Sequence, residues 1–229
     1  MSLTAVVMAA GLGTRLRPLT EEVAKPVLPI DGQPVLGRLL RELAAAGCRQ
    51  VTLVTGHLAE QVERLAGDGS AYGVTVRTVR QPSPDGSADA VRRADVEPPY
   101  LVLAADTVFG AGDVGRFASA FEAAEDAVGA IAVRRRPDKH PIGVEDGRVT
   151  HVLGYGGPGE WSGAPLWGVR ADVHARLCLD ERPHELGRAF QQAVDAGGEV
   201  VAVPIGPTRD LTRPLDLLEE NFPYVKAIR

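Results

Sequence analysis

The stretch AAGLGTRLRPLTEEVAKPVLPI, from Ala9 to Ile30, follows directly on the apolar run TAVVM. It carries two glycines, Gly11 and Gly13, two arginines, Arg15 and Arg17, one lysine, Lys25, and three prolines. A glycine-rich turn behind a strand lets backbone N–H groups approach an anion. The prolines fix φ and stiffen the segment that carries the cations. Such a loop suits a triphosphate, whose charge is spread over several oxygens. Arg grips two phosphate oxygens at once, while Lys acts as a compact point charge on a flexible stem. Two other glycine-loop chemistries fit poorly. A dinucleotide fingerprint needs a third glycine where Leu16 stands, and the next apolar run ends in Val54-Thr55-Gly56-His57 without an acid for a ribose. A P-loop needs a closing G-K-[ST], which does not follow Gly13. A solvated basic loop is the plain alternative.

The elements that must position this loop are readable from periodicity. Strands are expected at 4–8, 51–54, 74–79 and 100–103, alternating with helices at 34–46, 58–65 and 87–94. In the helix at 34–46, Val35, Leu39, Leu40 and Leu43 share one side, and Gly47 ends it. Alternating strands and helices imply right-handed crossovers and a mostly parallel sheet covered on both faces. Short strands follow at 128–133, 142–144, 149–153 and 165–169, separated by Gly- and Pro-rich turns such as GYGGPGEWSG. A helix at 185–196, a strand at 199–204 and a helix at 214–221 close the pattern. The expected fold is α/β: a Rossmann-like, mostly parallel sheet flanked by helices, with a small mixed β lobe inserted after Asp106. It reads as one domain over 1–229, with a nucleotide-binding part at about 1–110 plus 200–229 and an acceptor part at about 128–198. In open α/β sheets ligands sit beyond the C-terminal strand ends. That is where Ala10–Thr20, Gly56–His57 and Asp106–Thr107 converge.

Composition narrows the class. The chain has 229 residues, of which 45% are hydrophobic and 24% charged, with a net charge of −5. That is an ordinary globular balance and argues against a general nucleic-acid surface. No apolar stretch approaches the roughly 20 residues that span a bilayer, and no signal peptide is apparent, so a cytoplasmic protein without a membrane partner is expected. Cys48 and Cys178 show no metal-ligand spacing and read as thiols in a reducing compartment. His57, His151, His174 and His184 are isolated and read as structural or surface groups.

With those residues in view, AAGLGTRLRPLTEEVAKPVLPI resembles the signature of the sugar-1-phosphate nucleotidylyltransferases, such as the glucose-1-phosphate thymidylyltransferases. That signature is roughly G-x-G-T-R-L-x-P-L-T followed by P-K-P-L-L-P, and Ala24 replaces its first proline. The resemblance continues through DGQPVLGRLLRELAAAGCRQVTLVTGHLAEQV, QPSPDGSADAV, LVLAADTVFG and RDLTRPLDLLEEN. It implies an Mg²⁺-dependent transfer of a nucleotidyl group from a nucleoside triphosphate, dTTP or UTP favoured, to a sugar 1-phosphate, with pyrophosphate released. It also allows homo-oligomers. Arg15 is then expected to hold the leaving pyrophosphate and Lys25 the phosphates at the reacting centre. Ala10, Gly11, Gly13 and Thr14 line the phosphate path. Asp106 and Asp210 match the two acids that hold the metal ion, although Ala105 and Thr208 stand where the family has Gly and Trp. Gln81, Pro84 and Gly86 match the base-reading Q-x-x-P-x-G segment, and a Gln amide offers one donor and one acceptor to a uracil or thymine edge.

On the acceptor side, Gly143 matches the family's x-G contact. The later E-K-P triplet is replaced by Gly154-Tyr155-Gly156, so the Lys that meets the sugar phosphate is missing there. Arg135, Lys139 and His140 are the neighbouring cations that can substitute. Tyr155, Trp167 and Glu185 are the remaining acceptor candidates. Trp161 and Trp167 either pack the second half or stack on an acceptor, a sugar ring or a cationic head. Arg134-Arg135-Arg136 is either a solvated turn or a steering patch for anions. The alternatives are a cytidylyl- or guanylyltransferase for another phosphorylated acceptor, such as phosphocholine, and a non-catalytic nucleotide-sugar sensor.

Overall fold

The computed structural model describes residues 3–135, 141–153, 159–177 and 182–222. Its strands are β1 Thr4–Ala9, β2 Pro29–Ile30, β3 Gln33–Pro34, β4 Gln50–Thr55, β5 Thr75–Arg80, β6 Tyr100–Ala104, β7 Thr107–Val108, β8 Gly129–Arg135, β9 Gly143–Glu145, β10 Arg148–His151, β11 Trp161–Val169, β12 Val200–Pro204 and β13 Arg209–Asp210. Its helices are α1 Leu19–Glu22, α2 Val35–Ala45, α3 Ala59–Ala66, α4 Ser87–Arg93, α5 Asp113–Ala123, α6 Ala171–Ala175, α7 Leu186–Asp195 and α8 Pro214–Asn221.

Nine strands form one sheet in the order β5-β4-β1-β6-β11-β8-β12-β10-β9. The pairings β5–β4, β4–β1, β1–β6 and β8–β12 are parallel, whereas β11 and β10 run against their neighbours. The strands of the second half therefore continue the nucleotide-half sheet across β11, and the mixed region is the far end of that sheet.

The sequence of β1, TAVVMA, explains its central place, since it buries apolar side chains on both faces. Ala5, Val7 and Ala9 join a cluster with α2, α3 and α5, including Leu36, Leu40, Val62, Phe117 and Phe121. Val6 faces the other way, into a cluster with α4, α6 and α7 that holds Ala88, Val91, Val173 and Phe190. Period-two alternation has put a helical layer on each face. A third, smaller cluster sits outside the strand ends: Leu16, Leu28, Ile30, Val35, Val108 and Leu211. Each of Leu16, Val108 and Leu211 lies within two residues of a candidate site residue, so this cluster is the floor on which those side chains stand. No helix among the described residues is long and apolar enough to cross a membrane.

Candidate active site

Beyond the C-terminal ends of β1 and β6 lies a cleft of about 350 Å³. Its lining brings together Ala10, Gly11, Gly13, Thr14, Arg15, Lys25, Gln81, Pro84, Gly86 and Asp106, with Leu211 and Thr212 from the C-terminal segment. Most of the residues expected to hold a nucleotide therefore meet at one place, although they come from four stretches of the chain.

The glycine loop is held from several sides. Gly13 has φ +61°, and a Cβ there would stand 2.8 Å from Cγ2 of Thr20. The hydroxyl of the buried Thr20 donates to the Gly13 carbonyl at 2.9 Å, and the Leu16 amide donates to the same oxygen at 2.8 Å. His57 braces the loop through its Nε2, 2.7 Å from the Thr20 carbonyl. Gln61 spans the second half of the loop, accepting from the Ala24 amide and donating to the Glu22 carbonyl. These contacts fix the backbone while leaving Thr14 and Arg15 exposed at the cleft. Arg17 is not part of the lining; it lies 3.9 Å from Glu21 on the surface.

Lys25 is mostly buried, and its Nζ donates to Oδ2 of Asp106 at 2.5 Å. An ammonium has three protons, so two remain for other oxygens. Asp106 occupies the turn after β6 and also accepts, more loosely, from the Thr107 hydroxyl at 3.5 Å. The second acid arrives through a two-residue ladder. β13 pairs antiparallel with β7, with Asp210 opposite Thr107 and Arg209 opposite Val108. Directly opposed residues in such a ladder have Cα atoms only about 4.5–5.5 Å apart, so Asp210 stands across from the residue that follows Asp106. Arg209 anchors this strand by bonding both oxygens of Asp31, at 2.6 and 2.9 Å, and Glu220 at 2.5 Å. The hydrogen bonds from Arg209 and Arg38 hold the Asp31 carboxyl well below the usual carboxylate range. Thr212 donates to Oδ2 of Asp210 at 2.9 Å. Asp106 and Asp210 offer only oxygen ligands, the donor set of a hard divalent cation that also takes phosphate oxygens and water.

The opposite wall of the cleft carries Gln81, which is buried. Its Nε2 donates to Oδ2 of Asp89 at 2.7 Å and to the Gly86 carbonyl at 3.1 Å. A carboxylate only accepts, so the amide orientation is fixed: both protons of Nε2 are committed, and Oε1 remains as the acceptor. Burial alone pushes the Asp89 carboxyl up. Hydrogen bonds from Arg93 and Gln81 and the charges of Arg93 and His184 outweigh that and hold it below its ordinary value. Gly86 makes this corner possible. With φ +116° and ψ 173° it occupies a region reserved for glycine, and a Cβ would lie 2.5 Å from the His184 carbonyl oxygen. The segment is stitched to the α7 approach by bonds from His184 N to Asp85 O at 2.9 Å and from Ala88 N to His184 O at 2.6 Å.

The acceptor candidates are more scattered. Glu185 caps α7 and accepts from the hydroxyl of Ser87, a cleft residue, at 2.8 Å. Gly143 lies in β9, at the far edge of the sheet, where it pairs with His151. Trp167 lies in β11 between Val102 and Ile131 and packs partly buried against the α4/α7-side cluster. Neither Gly143 nor Trp167 lines the cleft. Tyr155, Lys139 and His140 lie outside the described residues. Sequence reasoning assigned no role to Asp89, Gln61 or Ser87, and treated His57 as structural or surface. Asp89 had one signal, an acid in the first turn of the helix that opens straight after Gly86.

Comparison with known proteins identifies the family. Residues 4–144 match the family model described as nucleotidyl transferase, a span that takes in every cleft residue except Leu211 and Thr212. The chain is 32% identical over 144 residues to an N-acetylmuramate alpha-1-phosphate uridylyltransferase of Neisseria meningitidis, covering 61% of this chain and 62% of the relative. It is 39% identical over 123 residues to a CMP-5'-(3-aminopropyl)phosphonate synthase of Streptomyces rubellomurinus, covering 52% of this chain and 19% of the relative. Against a glucose-1-phosphate thymidylyltransferase of Streptomyces antibioticus it is 42% identical over 87 residues, 38% of this chain and 24% of the relative. The chain thus spans less than two thirds of the length of each of these three relatives. Among solved structures, a UDP-glucose pyrophosphorylase of Acinetobacter baumannii superposes with TM-score 0.76 at 21% identity, covering 100% of this chain and 99% of that one. The inositol-1-phosphate CTP transferase of T. maritima gives 0.78 at 21% identity over 94% and 92%. These two likenesses establish the shared fold. With the family match spanning the glycine loop, Lys25, the Gln81–Gly86 segment and Asp106, the chain belongs to the nucleotidyl transferase family.

Proposed function

We propose that the chain joins the phosphate of a sugar 1-phosphate to the α-phosphorus of a pyrimidine nucleoside triphosphate, dTTP or UTP, and releases pyrophosphate. The observation that carries this reading is the convergence, in one cleft, of the Gly13–Arg15 loop, the Lys25–Asp106 pair and the polarised Gln81. Little acid–base help is needed, because a phosphate monoester has its second pKa near about 6 and its attacking oxygen is already ionised at neutral pH. The demand is for charge neutralisation and in-line alignment. Arg15 holds the departing pyrophosphate together with the amides of the glycine loop. Lys25 directs its two remaining protons at the oxygens around the α-phosphorus. Asp106 and Asp210 would hold Mg²⁺, which when bound would supply further neutralisation of the phosphate charge. Gln81 accepts through Oε1 from the N3–H of a uracil or thymine.

Cytidylyl or guanylyl transfer to another phosphorylated acceptor is the second reading, and the named activities of the relatives span several bases. The test is pyrophosphate release with and without Mg²⁺, across the common nucleoside triphosphates and a panel of hexose 1-phosphates. Metal-dependent release with dTTP or UTP is the expected result. Release confined to CTP or GTP would overturn the base assignment. Nucleotide-sugar binding without any release would mark the chain as a sensor.

A further inference from the structure

A second pocket, of about 370 Å³, opens at the same edge of the sheet as the cleft. Arg134, Arg135, Trp161, Pro204, Ile205 and Thr208 line it, with Pro207 beside them. It lies where β8 and β12 end and β11 begins, with Trp161 paired to Arg135. Three features mark it as a built site. Arg134, a charged residue only 8% exposed, forms part of its wall. Arg135 stacks over the Trp161 ring at 5.5 Å. Thr208 borders the pocket, and its buried hydroxyl has no hydrogen-bond partner among the described residues, with only 6% of the residue exposed. A buried hydroxyl without a partner is uncommon and costly. The remaining wall is apolar, so the occupant has a non-polar body as well as charge.

The position relates this pocket to the cleft. β11 alone separates β8 from β6, whose end carries Asp106. Two strand spacings are about 10 Å. Thr208 precedes Asp210 by two residues on the segment that forms β13. The pocket is thus too far from Lys25 and Asp106 to hold the reacting phosphate, and close enough for the other end of a molecule about one sugar ring long.

Resting on the transfer reading above, we infer that this pocket receives a second anionic group, of the carboxylate class, carried by the phosphorylated acceptor at the end remote from its phosphate. Arg135 meets the charge, the Thr208 hydroxyl turns to donate to it, and the Trp161 face and Ile205 cover the adjoining ring. Arg135 is presently paired with Glu160 at 3.2 Å, but both side chains are more than two thirds exposed, so the pair is weak and yields to a ligand.

The experiment compares α-D-glucuronic acid 1-phosphate with α-D-glucose 1-phosphate, which differ in the carboxylate alone. Pyrophosphate release with dTTP and UTP, and calorimetric binding of each sugar phosphate, are measured for the wild type, Arg135→Gln and Thr208→Val. Arg135 is exposed and Thr208→Val keeps the side-chain shape, so both variants fold. The glucuronate compound is expected to bind and react about tenfold better or more, the size of a charge-assisted hydrogen bond. Both variants should lose most of that preference. Equal handling of the two compounds, no binding of either, or a preference untouched by Arg135→Gln overturns the inference. So does equally tight binding of free D-glucuronate, which marks an effector site. Arg135-dependent glucuronate 1-phosphate binding without pyrophosphate release upholds the pocket and overturns the transfer reading instead.

Discussion

Replacing Gly86 by alanine tests the base corner without any assumption about substrate. At φ +116° and ψ 173° the backbone stands where essentially only glycine resides, a strain of roughly 1–3 kcal/mol for any other residue. The added Cβ would lie 2.5 Å from the oxygen, 2.6 Å from the nitrogen and 2.8 Å from the carbonyl carbon of His184. These are main-chain atoms, so no side chain can rotate away. The bonds from His184 N to Asp85 O and from Ala88 N to His184 O must lengthen instead. Overpacking of this kind costs a further ~1–3 kcal/mol. The sum is about 2–6 kcal/mol, and in a chain of this size each kcal/mol lowers Tm by roughly 2–4 °C. A fall of at least 4 °C, and about 12 °C at mid-range, is therefore expected by circular dichroism. Nucleotide affinity should fall with it, because the Gly86 carbonyl orients Gln81. Gly11→Ala is the control: a Cβ there meets nothing within 4 Å, and stability should hold. Gly86→Ala with a Tm within about 2 °C of wild type and unchanged nucleotide affinity would refute the packing argument.

Asp106→Asn should cut pyrophosphate release by about 10²-fold or more while nucleotide still binds, since it removes the proposed metal ligand and the charged partner of Lys25; retained turnover refutes the metal assignment. Asp89→Asn frees the Gln81 amide to turn over, so discrimination between uracil-type bases and cytosine should shrink several-fold, measured as a ratio of kcat/KM values. Leu211→Ala hollows the small outer cluster and should cost about 2–5 kcal/mol in denaturant unfolding. It should also lower Mg²⁺ affinity through the adjacent Asp210. Burial, with the Glu122 charge added, pushes the Cys48 thiol up to about 11 from its ordinary 9.0. The folded thiol therefore keeps its proton longer than the unfolded one, and its stability contribution is lost as pH rises from about 9 toward 11. In a Cys178→Ser background, iodoacetamide at pH 8 should label the native chain far more slowly than the urea-unfolded chain.

The parallel half of the fold was legible because its strands are apolar runs with amphipathic helices between them, and α2 carries its buried residues at helical spacing. α5 went unread: its apolar anchors Val114, Phe117 and Phe121 are diluted by Gly115, Ala118, Ser119 and Ala120, which weakens the periodic signal. β7 and β13, at two residues each, are too short for any pattern to announce. The place of the glycine loop at the cleft was legible through local types and spacing. The polarity of Gln81 was not, since it depends on Asp89, which sits beneath it in α4 only after the chain turns at Gly86. The arginine pocket was half visible. Arg134 and Arg135 stood out as a run, but their meeting with Thr208 depends on β8 and β12 ending at the same level.

The ladder between β7 and β13 has a consequence for synthesis of the chain. The residues to which triphosphate binding is assigned under the proposed function, from Gly11 to Asp106, leave the ribosome about a hundred residues before Asp210 does. β1, β4, β5 and β6 pair among themselves and do not wait for the later segment. A nascent chain thus assembles most of the cleft early and gains Asp210 later, when two residues zip onto β7. So short a closure opens at far lower free energy than the sheet melts. On the proposed function, catalytic competence reports that the β13 segment has docked, and a chain nicked or stalled before it binds nucleotide without turning it over.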